Sequence, residues 1–101
     1  FRDRLGDILA LNAKMKTRTV LLLEANARAF IHGPALPKHE IMKELGKTYG
    51  VPVLDLHGFI NEDQNARGGF LWWDAVHLTS YGQGLVAEWL APKLIGELGK
   101  Q

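Results

Sequence analysis

The chain has 101 residues, of which 47% are hydrophobic and 23% are charged, a profile typical of one small folded domain rather than of a disordered segment. Its formal net charge of +1 gives no electrostatic reason to expect nucleic acid or an anionic membrane as a partner, and no apolar run approaches the ~20 residues that a membrane span needs. The absence of cysteine excludes disulfides and thiolate metal sites, and leaves the cellular compartment open.

An amphipathic helix and a buried strand are predicted first. Apolar side chains recur at helical spacing from Phe1 to about Lys16. No residue at the start offers a clear N-terminal cap, which leaves open that the helix begins upstream. The segment Thr17–Ala25 contains the continuous apolar run Val20–Leu23. Such a run is typical of a parallel strand that is covered on both faces.

A second helix and a second strand follow a loop broken by glycine and proline. Pro37 is suited to open the helix, which we expect to run from Lys38 to about Tyr49 and to stop at Gly50. Its buried side chains are expected to be Ile41, Met42 and Leu45. Val51–His57 then predicts a second buried strand, with Pro52 tolerated near its start.

The remainder predicts a long loop and a final helix. Gly58–Trp72 is rich in Asn, Asp and Gly, which favour turns and loops. The helix is expected to begin at Thr79 or Ser80, because Ser80 with Gln83 fits a capping box and Thr79 is an equally good cap. Pro92 lacks the N–H that a helix interior needs, so a kink or break is expected just before it.

These elements alternate as helix, strand, helix, strand and helix, which is the order of an α/β unit with a right-handed crossover. Two strands make a poor sheet, because a continuously apolar parallel strand needs neighbours on its edges. We therefore expect part of a three-layer α/β/α arrangement. Its exposed strand edges favour association, either with a complementing N-terminal half or with a second copy of the chain.

The strongest chemical signal is Asp74-Ala75-Val76-His77, just before the final helix. This spacing lets one tight turn hold the Asp74 carboxylate against Nδ1–H of His77, which leaves Nε2 free to accept a proton. An aspartate and a histidine so placed are two members of a hydrolytic triad. Each residue alone has a simpler explanation, a turn cap for Asp74 and a core or capping histidine for His77.

The string Asp74-x-x-His77-Leu78-Thr79, followed by Gly82 and an aliphatic helix, resembles the last conserved block of the SGNH hydrolases, also called GDSL esterases and lipases. The resemblance covers the whole chain but only about the C-terminal half of the family fold. It implies a flavodoxin-like sheet, of which this chain holds the last two parallel strands and their flanking helices. It also implies acyl transfer to water by a Ser-His-Asp triad without a cofactor, with Asp74 and His77 as catalytic residues.

The other parts of that machinery are missing from the sequence. The single serine, Ser80, is expected to cap the helix rather than to attack a substrate. Gly6-Asp7-Ile8-Leu9 has isoleucine where the family has its nucleophile, and it falls inside the first helix. Asn26 lacks the family's Gly-x-Asn-Asp context, so a loop-capping role is expected. The serine and the oxyanion donors are therefore expected outside these residues, and the isolated chain is predicted to be inactive.

Several further side chains are weaker candidates. Trp72 and Trp73 precede the Asp/His pair; either they pack in the core, or one of them contacts a sugar or acyl group of the substrate. Asp55 and His57 end the second predicted strand, where α/β sheets bind ligands, although a polar strand end is the simpler explanation. A metal site built from these two and the Asp/His pair matches no familiar ligand spacing and is not expected. The remaining histidines are expected to be solvated: His32 and His39.

The function predicted from these residues is hydrolysis of a small-molecule or carbohydrate ester. Residues 1–101 would form the C-terminal portion of a single hydrolase domain and would supply its aspartate and histidine. The alternative is a non-catalytic interaction or scaffold module derived from the same fold. A nucleophile-bearing segment that accompanies the chain would favour the hydrolase, whereas a chain whose sheet nothing completes would favour the module.

Overall fold

The computed structural model of the protein describes residues 1–25, 35–62, 71–74 and 77–99. The helices and strands in these residues are α1 (Arg2–Lys14), β1 (Leu21–Leu22), α2 (Ala35–Tyr49), β2 (Val53–Leu54), α3 (Leu56–Glu62) and α4 (Ser80–Leu98). Helix predominates. The two strands pair in parallel, with Leu21 opposite Val53 and Leu22 opposite Leu54. The chain is thus mixed α and β with a small parallel sheet, which confirms the coarse fold prediction.

The described residues cluster into two compact units. The first contains those within Phe1–Leu23 and His32–Leu54, and the second contains those within Glu24–Ile31 and Asp55–Gln101. α1, α2 and both strands therefore belong to the first unit, and α3 and α4 belong to the second. That the whole chain is part of one hydrolase domain remains a prediction.

The core of the first unit lies where α1 and α2 meet the sheet. Leu9 of α1, Leu21 of β1 and Leu45 of α2 are buried together. Partly buried apolar side chains surround them: Leu5, Ile41, Met42, Val51 and Val53. The predicted inward face of α2 is therefore confirmed, with Leu45 buried and its two neighbours half-buried.

An exposed ion pair also joins the two helices of this unit. A guanidinium N–H of Arg2 donates to the Glu44 carboxylate at 2.8 Å. This hydrogen bond and the charge of Arg2 lower the pKa of Glu44, and the carboxylate raises the pKa of Arg2 in turn. Because both side chains are about half exposed, solvent screens the pair, and it adds little to the packing of α1 on α2.

α2 begins earlier than the sequence predicted. It starts at Ala35, so Pro37 stands inside the first turn instead of opening the helix before Lys38. The N–H groups of a first helical turn have no acceptor within the helix, so proline is tolerated there at no cost in hydrogen bonds. The loop predicted before this helix lies largely outside the described residues, as do Asn26 and His32.

α1 and α2 end in the same way but with different residues. After α2, Gly50 has a positive φ of 65°, its N–H donates to Lys47 O at 3.4 Å, and Val51 N–H donates to Gly46 O at 2.8 Å. After α1, Lys16 takes the corresponding place with φ 58°, and Thr17 N–H donates to Asn12 O at 2.8 Å. Both endings are Schellman motifs, in which glycine is the favoured residue.

Lys16→Gly is therefore expected to stabilise the protein by about 1 kcal/mol, because a side chain in left-handed backbone is strained. Gly50→Ala should destabilise it by a similar amount for the same reason. The pair is its own control, since the two substitutions act on one motif with opposite signs. Urea unfolding followed by circular dichroism measures both, and a destabilising Lys16→Gly would contradict the assignment.

The second predicted strand is only partly correct. Its pairing residues are Val53 and Leu54, whereas Leu56 and His57 already belong to α3. The side-chain carboxylate of Asp55 accepts a hydrogen bond from the Gly58 N–H at 2.8 Å. The backbone carbonyl of Asp55 accepts one from the Phe59 N–H at 3.1 Å. Asp55 thus caps α3, which replaces the first part of the loop predicted for 58–72. The cap explains the early change from strand to helix.

The structure of α4 identifies its N-terminal cap, which the sequence left open, and corrects the break predicted at Pro92. Its cap is Thr79, whose hydroxyl accepts the Gly82 N–H at 3.1 Å, and Ser80 is the first helical residue. The helix does not break at Pro92 but continues to Leu98. Pro92 has no N–H, so the helix loses one hydrogen bond, the one to the Glu88 carbonyl. Just before this proline, Trp89 stacks on Phe59 of α3 with the ring centroids 5.0 Å apart, and this packing stabilises the helix there. No helix in the described parts of the chain is long and apolar enough to cross a membrane.

Candidate active site

The Asp/His pair lies on a turn that two backbone hydrogen bonds close just before α4. Trp72 and Leu78 form an antiparallel bridge. Trp73 N–H donates to the carbonyl of His77, and Thr79 N–H donates to the carbonyl of Leu71, each at 2.8 Å. Residues 75 and 76, between the pair, lie outside the described residues. The two arms of the turn are thus fixed to each other on both sides of the bridge.

Within this turn the aspartate and the histidine meet as predicted from their spacing. Nδ1 of His77 lies 2.7 Å from Oδ2 and 2.9 Å from Oδ1 of Asp74. The backbone N–H of His77 also donates to Oδ1 of Asp74, at 2.8 Å. One carboxylate therefore accepts hydrogen bonds from both the ring and the backbone of the same histidine. With an acceptor at Nδ1, the neutral ring carries its proton there, so its lone pair is on Nε2.

The pair is open to solvent. The His77 side chain is 72% exposed and the Asp74 side chain 55% exposed. Water at this exposure screens the attraction between the two groups, so the short distances reflect the local turn more than a strong ion pair. The arrangement can accept a proton at Nε2, but a protein surface that excludes water would have to cover it before it worked as an efficient general base.

The first turn of α4 packs against the turn that carries the Asp/His pair. Gly82 is buried, and a Cβ there would lie 2.6 Å from the Leu71 carbonyl oxygen and 3.0 Å from Cδ2 of Leu78. Leu71 itself is only 1% exposed. Because Gly82 has no side chain, the first turn of the helix lies directly against the backbone that accepts the Thr79 N–H. The glycine that follows the Asp-x-x-His-Leu-Thr string therefore has a packing role that its position in the sequence alone did not reveal.

The aromatic residues around the pair differ in exposure. Trp72 is half-buried and Trp73 is 76% exposed. The alternative in which both tryptophans pack in the core is therefore wrong for Trp73, and a contact of Trp73 with substrate stays a prediction. Tyr81, four residues after His77, is also largely exposed, at 59%. The sequence alone did not predict this exposure, because a single tyrosine in a helix gives no signal of whether it faces the core or the solvent.

The structure does not bring the weaker candidates into a site. Asp55 caps α3 instead of ending a strand, and His57 is buried within that helix. His39, expected to be solvated, is only 3% exposed, because it lies on the inward side of α2. Gly6-Asp7-Ile8-Leu9 lies in the middle of α1, as expected.

No metal site is found in the described residues, where no three or more His, Asp or Glu side chains lie close enough to hold an ion. A scan of family models and searches of curated proteins and of solved structures found no match to this chain. The assignment of a function therefore rests on the geometry of the turn and on the residues within it.

Proposed function

We propose that this chain supplies the aspartate and the histidine of a Ser-His-Asp ester hydrolase of the SGNH type, and that the serine lies in polypeptide outside these residues. The observation that carries the proposal is the contact of the Asp74 carboxylate with Nδ1 of His77, at 2.7 and 2.9 Å, on a turn closed by its own backbone. An exposed histidine needs no such partner for stability, but a general base needs its tautomer and orientation fixed.

In the proposed reaction, the serine hydroxyl attacks the ester carbonyl while Nε2 of His77 accepts the hydroxyl proton. The same nitrogen then gives the proton to the departing alcohol, and the acyl-serine forms. In the second half of the reaction, water attacks the acyl-serine while Nε2 of His77 accepts a proton from the water. The proton then passes to the serine oxygen, and the acid is released. Asp74 keeps the ring oriented and stabilises the imidazolium, without itself becoming protonated. Oxyanion donors would come from the segment that brings the serine.

Two further features support this proposal. The parallel pair β1 and β2 is a small sheet, and within the described residues each strand has an outer edge without a partner strand. Such a sheet is suited to receive more strands. Trp73, largely exposed and fixed by its backbone to His77, offers an aromatic face to the acyl or sugar part of a small-molecule or carbohydrate ester.

A fluorophosphonate probe, which labels activated serines, tests the proposal on the natural protein that contains this segment. We expect one labelled serine outside these 101 residues, and loss of labelling in a His77→Ala variant. Labelling of Ser80, or labelling that persists without His77, would exclude the proposed role. The matched control is Gln83→Ala, which leaves the Asp/His pair intact and should be labelled like the natural protein.

The second candidate is a non-catalytic interaction or scaffold module with the same local structure. The exposure of the pair, 72% and 55%, favours it, because a working general base is usually shielded from water. If the natural protein is folded and no serine in it reacts with the probe, the module is the better conclusion.

A further inference from the structure

α1 carries two apolar faces, and only one of them packs against other residues in the part of the chain that the structure describes. Leu5 and Leu9 face the core of the first unit. Ile8, Leu11 and Met15 are exposed by 54%, 54% and 67%. At 100° per residue these three side chains lie within about 60° of one another, and roughly 100° around the helix from the core face. The second face is therefore a separate stripe and not the margin of the core.

The spacing of this stripe is that of a helix–helix seam. Arg4, Ile8, Leu11 and Met15 follow one another at intervals of four, three and four residues, as the a and d positions of a heptad repeat do. Arg4 is exposed at the end of the stripe, where its aliphatic stem can lie along an apolar neighbour. A stripe with this spacing is complementary to another helix.

The charged residues beside the stripe favour a second copy of the chain, in antiparallel orientation, as the partner. Asp7 and Lys14 both occupy the g position, two turns apart on the same side, and neither makes an ion pair within the described part of the chain. In an antiparallel pair of identical helices, g positions face g positions. Asp7 of each copy then faces Lys14 of the other. A parallel pair would place Asp7 opposite the uncharged Asn12 and would leave both charges unmatched.

We propose that α1 joins two copies of this chain in an antiparallel pair, with Ile8 packed against Leu11 of the second copy and Asp7 facing its Lys14. In the same register Arg4 lies beside Met15 of the second copy. One alignment of the two helices therefore forms both the apolar contacts of the stripe and the ion pairs beside it. The proposal does not depend on the proposed function, since α1 and the Asp/His pair belong to different units. The seam is only two heptads long, so the dimer should dissociate on dilution and weaken with added salt.

Sedimentation equilibrium of the natural chain over a range of micromolar concentrations tests this inference. We expect a monomer–dimer equilibrium whose dissociation constant rises at least ~10-fold in Leu11→Asp, because the substitution buries an unpaired charge in the seam. Ala10→Asp, on the exposed side of α1 about 140° from the stripe, is the matched control and should change the constant by less than ~2-fold. Circular dichroism checks that each variant keeps its helices.

A charge exchange tests the orientation. Lys14→Asp and Asp7→Lys each place like charges opposite one another twice per dimer, and each should raise the dissociation constant ~10-fold. The double variant restores opposite charges and should return to within ~3-fold of the natural chain. A chain that is monomeric throughout, a dimer that survives Leu11→Asp, or a double variant as weak as the single ones would each overturn the proposal. Survival would place the contact elsewhere, for example at the sheet edge.

Discussion

In the proposed hydrolase, His77→Ala is expected to lower kcat for ester hydrolysis by about 10⁴- to 10⁶-fold, the range found when a triad histidine is removed. The loss is large because the serine hydroxyl has no other base close by, and because the departing alcohol loses its proton donor. Steady-state kinetics with a chromogenic ester such as p-nitrophenyl acetate measures it. KM should change little, since the imidazole acts in the transition state more than in substrate binding.

Asp74→Asn distinguishes a catalytic role of the pair from simple packing. The substitution keeps the size of the side chain, but its amide N–H₂ donates to Nδ1 and so favours the tautomer with the proton on Nε2. The expected loss in kcat is about 10⁴-fold, with the fold unchanged. Nitrogen NMR of the isolated chain reads the same effect without any substrate, as a shift of the His77 proton from Nδ1 to Nε2. A neutral ring with its proton on Nε2 in the natural chain would contradict the geometry.

The second large effect is expected at Gly82. Gly82→Ala should destabilise the second unit by about 1–3 kcal/mol, the usual cost of forcing extra volume into a packed site. Its Cβ would lie 2.6 Å from the Leu71 carbonyl oxygen, which is backbone and cannot rotate away as a long side chain does. The helix start and the turn would have to separate. The hydrogen bond from Thr79 N–H to Leu71 O, and with it the position of the Asp/His pair, should weaken.

Gly84 offers a matched control two residues along the same helix. It is exposed, and a Cβ there would meet nothing within 4 Å. Gly84→Ala should therefore stabilise the protein by about 0.5–1 kcal/mol through helix propensity alone. Chemical unfolding measures both variants under the same conditions. Equal and stabilising effects at the two positions would show that α4 does not lie against the turn as described.

If both predictions hold, stability and chemistry are linked at this turn by one contact. Gly82 sets how closely α4 approaches, and the approach fixes the strand-like arms that carry Asp74 and His77. Gly82→Ala in the proposed hydrolase should then reduce activity as well as stability, although Gly82 contacts neither member of the pair. Such a residue positions the pair and is not itself catalytic.

Some local features of this protein follow from its sequence, whereas α3, the start of α2 and the continuation of α4 past Pro92 did not. Asp74 and His77 meet because three residues is the span of one tight turn, and no distant contact is needed to bring them together. The approximate extent of α1, the end of α2 before Gly50 and the start of α4 at Thr79 or Ser80 follow from periodicity and from helix-boundary signals. The parallel pairing of β1 and β2 follows from continuous apolar runs separated by a helix.

Tertiary structure decided the rest, because burial depends on which faces of distant elements meet. The sequence of α1 contains two apolar stripes, and only packing on Leu21 and Leu45 selected Leu9 for the core and left Ile8 and Leu11 in solvent. The same packing buried His39, which its polarity alone placed outside. The need for a glycine against the Leu71 carbonyl is likewise a contact across eleven residues that no short-range pattern encodes.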